Sequence, residues 1–111
     1  MPEQESRSQA IQGITQVDRL LHEPARLLIM ATLYALEEAD FRYLLRETGL
    51  TKGNLSSHLS KLEKAGYVAI EKTFRGKIPL TIIRLTEEGR QAFDTYREQL
   101  RQIAAGLPDR D

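Results

Sequence analysis

At 111 residues, 41% of them hydrophobic, the chain has the size and composition of one soluble domain with a single core. No apolar run approaches the roughly 20 residues of a membrane helix, and the absence of Cys excludes disulfides, thiolate redox chemistry and thiolate metal sites. Net charge is zero but unevenly spread, at −4 over residues 1–41, +5 over 42–77 and −1 over 78–111, so the middle third carries the kind of basic patch that attracts nucleic acid.

His22 and His58 lack the spacing of metal ligands, so neither a metal nor a cofactor is expected. The polar opening MPEQESRSQ has no apolar signal core, which makes the cytoplasm the expected compartment. Residues 1–9 are expected to form a flexible tail, 10–107 one domain and 108–111 a second tail.

From Ala10, the apolar residues Ile11, Ile14, Val17 and Leu21 recur at helical spacing and predict an amphipathic helix to about His22. Pro24 suits the first turn of a second helix, with Glu23 near its positive end. Its run Ala25 to Leu36 is apolar nearly all round, as expected of a central buried helix. Asp40 is an N-cap candidate for a third helix over Phe41–Glu47, with Phe41, Leu44 and Leu45 inward, Arg42 and Arg46 outward, and Gly49 at its end.

The stretch Thr51 to Gly66, TKGNLSSHLSKLEKAG, predicts a fourth helix with two different faces. Thr51 is its N-cap and Gly66 its terminating glycine; Leu55, Leu59 and Leu62 form one stripe, while Gly53, Ser57, Ser60 and Lys61 gather opposite. The short connection from Gly49 to Thr51 makes this a helix-turn-helix. A face of small polar side chains and lysines, without a carboxylate until Glu63, suits the major groove of DNA.

After Gly66 the period changes from helical to alternating, predicting a strand from Tyr67 to near Phe74, a turn at Arg75, Gly76 and Lys77, and a strand over Leu80–Leu85. Thr86 then caps a last helix, with Glu87 and Glu88 in its first turn and Pro108 beyond its end. Phe93, Tyr96, Leu100, Ile103 and Leu107 form a heptad-like seam along it. The first and last stripes, Ile11, Ile14, Val17 and Leu21 with Phe93, Tyr96, Leu100, Ile103 and Leu107, pack either within the chain or as a homodimer interface, and the dimer is the expectation because one small core cannot easily bury both.

The fold class expected is mainly α with a small β-hairpin (α+β), a winged helix-turn-helix. The segments LSSHLSKLEKAGYV, RGK and RLTEEGR, with the upstream HEPARLLIMATL, resemble small single-domain prokaryotic ArsR/MarR-type winged-helix transcriptional regulators over most of residues 20–95. The resemblance places recognition-helix contacts on Lys52, Asn54, Ser56, Ser57, His58 and Lys61, and wing contacts on Lys72, Arg75 and Lys77. By wheel position Ser57 and Lys61 point straight away from the leucines, whereas His58 lies only about 60° from the stripe centre and is as suited to the core edge as to DNA. The cysteines and histidine clusters of the metal-sensing members are missing.

The function expected is a sequence-specific, homodimeric regulator binding double-stranded DNA, with helix 51–65 in the major groove and wing 72–80 on the backbone or minor groove. The alternative is a winged helix reused as a protein–protein interaction module. An enzyme is not expected, since no nucleophile–base set or phosphate loop is present. Any small-molecule effector is unknown; its pocket would fall at the dimer interface near Leu28, Tyr34 or Tyr96.

Overall fold

The computed structural model describes residues 2–109. Five helices and three short strands follow in the order α1 (Pro2–Ile14), α2 (Pro24–Leu36), β1 (Glu38–Asp40), α3 (Phe41–Thr48), α4 (Lys52–Lys64), β2 (Val68–Arg75), β3 (Ile78–Leu85) and α5 (Glu87–Gly106).

Side chains at the helix starts explain most of these boundaries. Both carboxylate oxygens of Glu23 accept from the first turn of α2, from the Ala25 and Arg26 amides at 2.9 Å each, and Pro24 beside it needs no amide partner. Asp40 accepts from the Tyr43 amide at 2.7 Å, Thr51 from Asn54 at 3.1 Å and Thr86 from Gly89 at 2.9 Å. Beyond α4, Gly66 sits at φ +82°, and the Gly66 and Tyr67 amides reach back to the Glu63 and Leu62 carbonyls. That closure reverses the chain into β2.

The N-terminus differs from expectation. Residues 2–9, expected to be a flexible tail, are helical, and the helix ends at Ile14 instead of near His22. Asp18 is the reason for the early stop: one carboxylate oxygen accepts from the Leu20 and Leu21 amides, so the chain turns where the apolar spacing alone would continue a helix. The early start rests on α5, against which α1 lies antiparallel, Gly13 facing Ile103 and Ala10 facing Gly106. Of the segment expected as a C-terminal tail, residues 110 and 111 lie outside the described residues.

The sheet is antiparallel with order β1-β3-β2. Strand β1 is an addition to the expected hairpin; it pairs Glu38, Ala39 and Asp40 with Arg84, Ile83 and Ile82. Glu37, at φ +71°, turns the end of α2 into this pairing, and its carbonyl accepts from the Leu85 amide at 2.9 Å. Arg84 bridges all three strands by donating to Glu38 and Glu71. The hairpin is longer than the alternation implied, running to an Arg75–Ile78 pair closed by Gly76 and Lys77. With Gly76 at φ +64° as the first central residue, the turn follows the II′ pattern.

The leucine stripe of α4, Leu55, Leu59 and Leu62, is at most 2% exposed and packs with Ile29, Met30 and Leu33 of α2, Leu44 of α3, Val68 and Ile83 of the sheet, and Phe93 and Tyr96 of α5. Val17, Leu21, Phe93 and Tyr96, expected at a dimer interface, belong to this core instead, because the turn at Asp18 folds Val17 and Leu21 back onto the chain's own helices. Ile103 is half-buried against Gly13, while Ile11, Ile14, Leu100 and Leu107 stay exposed. The radius of gyration is 17.1 Å and the extents are 65 × 27 × 21 Å, against about 13 Å for a compact chain of this length. Helix α1 and the C-terminal half of α5 therefore project from a body formed by α2 to β3 and the first half of α5.

Candidate nucleic-acid interface

Burying the three leucines of α4 dictates which residues it offers. Lys52, Asn54, Ser56, Ser57 and Lys61 are exposed, and Gly53 among them would meet nothing within 4 Å if it carried a Cβ. Glycine in a helix costs about 1 kcal/mol relative to alanine, and no contact within the chain accounts for it here. An open glycine at the start of an exposed helix leaves room for another molecule's backbone.

His58 is placed differently from its neighbours. Its side chain is 19% exposed, with Nδ1 at 3.6 Å from Glu23 Oε2 and 3.1 Å from Arg26 Nη1. Arginine can only donate, so His58 accepts from it. Arg26 also donates from Nε to the Leu20 carbonyl at 2.6 Å. Burial opposes ionisation of Glu23, but hydrogen bonds from the Ala25 and Arg26 amides, with the positive charge of Arg26, outweigh it and hold the carboxyl below its ordinary value. The Glu23–Arg26–His58 set thus ties the start of α2 to the middle of α4. His58 acts here as a positioning residue and not as part of the offered face.

The second half of the face is the hairpin. Ile70, Lys72 and Phe74 share one side of β2 with their partners Ile83, Thr81 and Pro79 of β3. A groove of about 330 Å³ separates this side from α4; Ser56, Ser60 and Lys72 lie along it over Leu59, Ile70 and Phe41. Ser60 in this groove was absent from the contacts implied by resemblance, although its wheel position opposite the leucines was a signal. Arg75 and Lys77 are exposed at the hairpin end.

Electrostatics sets this face apart. Among the described residues, ion pairs within 4.0 Å engage Arg26, Arg84, Arg90, Arg97 and Arg101, and none of the eight Lys and Arg residues of 42–77. Arg42, Arg46, Lys52, Lys61, Lys64, Lys72, Arg75 and Lys77 are all exposed, so their charge is available to an external anion.

Of the residues suggested for an effector pocket, Tyr34 and Tyr96 both lie near the Phe93 ring, at 5.0 and 6.3 Å between centroids. Tyr96 is buried with its hydroxyl 2.8 Å from His22 Nδ1; Tyr34 bonds Asp94 and lies under the guanidinium groups of Arg90 and Arg97, each 5.1 Å from its ring; Leu28 is exposed. No helix among the described residues is long and apolar enough to cross a membrane.

Comparison with known proteins agrees with this geometry. The profile of a family described as a winged helix DNA-binding domain matches residues 25–104. An uncharacterized protein of Methanocaldococcus jannaschii is 38% identical over 90 residues, covering 80% of this chain and 97% of that one. The structure of a transcriptional regulator homologue protein from Pyrococcus horikoshii OT3 superimposes with a TM-score of 0.82 at 29% identity, covering 91% of this chain and 99% of the other. AbfR, a protein of Staphylococcus epidermidis, has been solved in reduced form bound to DNA; that structure is 25% identical, with a TM-score of 0.63 and coverage of 76% and 58%.

Proposed function

Since the chain belongs to the family of winged helix DNA-binding domains, as its resemblance to ArsR/MarR-type regulators implied, we propose that it acts as a homodimeric, sequence-specific transcriptional regulator in the cytoplasm of a prokaryote. On this reading α4 enters the major groove, with Ser57, Lys61 and Asn54 toward base edges and Lys52 toward a phosphate, while Lys72, Arg75 and Lys77 of the wing grip the adjacent backbone. Asparagine can bond adenine through two hydrogen bonds, which makes Asn54 the strongest candidate for base discrimination. The protein acts by occupancy and not by catalysis.

The observation that carries the reading is the set of eight exposed cations over residues 42–77, none of them in an intramolecular ion pair. Eight exposed cations clustered in one segment, with no carboxylate among the described residues paired to them, leave their charge to an external polyanion. Dimerisation is supported by the projecting α1/α5 pair, on which Ile11 is 58%, Ile14 48% and Leu107 42% exposed. A dimer would present two copies of α4 to half-sites about one helical turn, roughly 10 bp, apart.

Selection of bound duplexes from a random pool tests the whole proposal, with a two-fold symmetric consensus as the expected product. Lys61→Ala should lower the slope of log affinity against log salt by about one unit. Absence of saturable duplex binding at low salt would refute it.

A further inference from the structure

The wing carries a feature that phosphate neutralisation does not use. Its last two cross-strand pairs before the turn are Phe74–Pro79 and Arg75–Ile78, and there Phe74 is 68% and Ile78 59% exposed. At the base of the same hairpin the equivalent apolar pair, Ile70–Ile83, is covered, with Ile83 fully buried. Phe74 lies four residues beyond Ile70 along the strand, so the tip stands about 13 Å further out, where Phe74 is left exposed. Protein stability gives little reason for a phenylalanine, an isoleucine and a proline at the solvated end of a ribbon.

Their surroundings indicate the occupant. From residue 72 to 81 the sequence KTFRGKIPLT contains three cations and no carboxylate. A partner for this tip must therefore be anionic and must also offer apolar surface between its charges. Duplex DNA meets both demands, because its minor groove sets sugar walls and stacked base faces between two rows of phosphate. Phe74 also shares its side of the hairpin with Lys72 and with the groove that runs to α4, so the tip continues the face already assigned to DNA.

We propose that Phe74 acts as an apolar wedge that enters the minor groove beside each half-site, while Ile78, on the opposite side of the ribbon beside Arg75, lies against the other groove wall; Lys72, Arg75 and Lys77 hold the tip there, and the wedge loosens one base step so that the duplex bends. This rests on the DNA-binding reading above and adds a mode of recognition to it. Opening a step costs least at flexible pyrimidine–purine steps such as TA and CA/TG. The wedge therefore makes the wing a reader of deformability: operators should carry such a step at a constant distance outside the bases contacted by α4.

The test is duplex selection with the full-length protein and with Phe74→Thr and Ile78→Thr, which keep β propensity while removing apolar surface. Phe74→Leu serves as the conservative variant. Bending is read on the wild-type consensus by end-to-end fluorescence transfer, and thermal melting of each variant confirms that the hairpin is intact. The wild type should select a flanking flexible step and bend the duplex. The threonine variants should lose both, binding on the order of tenfold more weakly with an unchanged salt slope because no cation is lost, and Phe74→Leu should retain most of the bend. If the threonine variants keep the consensus, bend and affinity of the wild type, the wedge is refuted while DNA binding stands. If the wild type selects no duplex at all, both fall.

Discussion

Gly89 shows how much a single position can decide. A Cβ there would lie 2.1 Å from the Tyr67 carbonyl oxygen, which also accepts from the Thr86 amide at 3.1 Å, so the start of α5 presses directly on the end of the α4–β2 turn. Gly89→Ala should lower the unfolding free energy by about 1–3 kcal/mol, the usual range for overpacking, read from the urea midpoint. Tyr67 itself gives a second prediction. Burial first, then its hydrogen bond to Asp18 and the charges of Asp18 and Glu88, push its pKa from 10.0 up to about 12. A folded value above the unfolded one means that the contribution to stability is complete below pH 10.0 and is lost as pH rises through about 12. Absorbance titration should show a component near pH 12 that is missing in Tyr67→Phe, whereas Tyr96, which burial also raises, stays late in both proteins. Glycine spacing and aromatic content made neither contact visible in the sequence, since each joins elements far apart along the chain.

Among the elements, α4 was the most legible. Its cap, leucine stripe and closing glycine are all local features, and 3.6-residue geometry converts them directly into a buried face and an offered one. Helix α2 depends on Glu23, whose carboxylate caps it and also faces His58. Because the folded carboxyl is held below 4.5, its stabilisation is present above the unfolded value and is lost as pH falls through the lower folded one. Glu23→Ala should cost about 1 kcal/mol at neutral pH and remove this share of the acid dependence, measured as denaturation midpoints at neutral and acid pH. Elements defined by long-range pairing were poorly legible. The three residues of β1, EAD, have no period of their own and become a strand only because β3 offers an open edge beside the turn at Glu37. The end of α1 was misplaced for the related reason that Asp18 side-chain bonding overrides the spacing of Ile14, Val17 and Leu21.

On the scale of the molecule, the α1/α5 pair determines the elongated shape. Gly106 allows the close approach: a Cβ there would meet the Ala10 side chain at 2.8 Å and the Ser6 carbonyl oxygen at 3.0 Å. Gly106→Val should release α1 from α5, read as a loss of helical ellipticity and of amide protection over α1, while the body formed by α2 to β3 keeps its core. Leu100→Glu alters an exposed position of the pair and should leave the protomer folded. If the pair is the dimer interface, this variant sediments as a monomer at micromolar concentration and binds a symmetric operator more weakly through loss of bivalency. A wild-type protein that is already a monomer under those conditions would refute the dimer.

The amino-acid order by itself determined the sequence of helices and hairpin, helix α4 with its two faces, the caps, and the concentration of positive charge over residues 42–77, because each is written in short-range periodicity or composition. Only the tertiary structure decided which apolar residues turn inward: Val17, Leu21, Phe93 and Tyr96 into the core, Ile11, Ile14, Leu100 and Leu107 to the outside. It also decided that His58 braces α4 against Arg26 and Glu23, and that Phe74 and Ile78 stand bare at the wing tip. The physical reason is common to these cases. Hydrophobicity states what a side chain prefers, but its burial depends on which distant segment arrives to cover it, and that is a property of the packed chain as a whole.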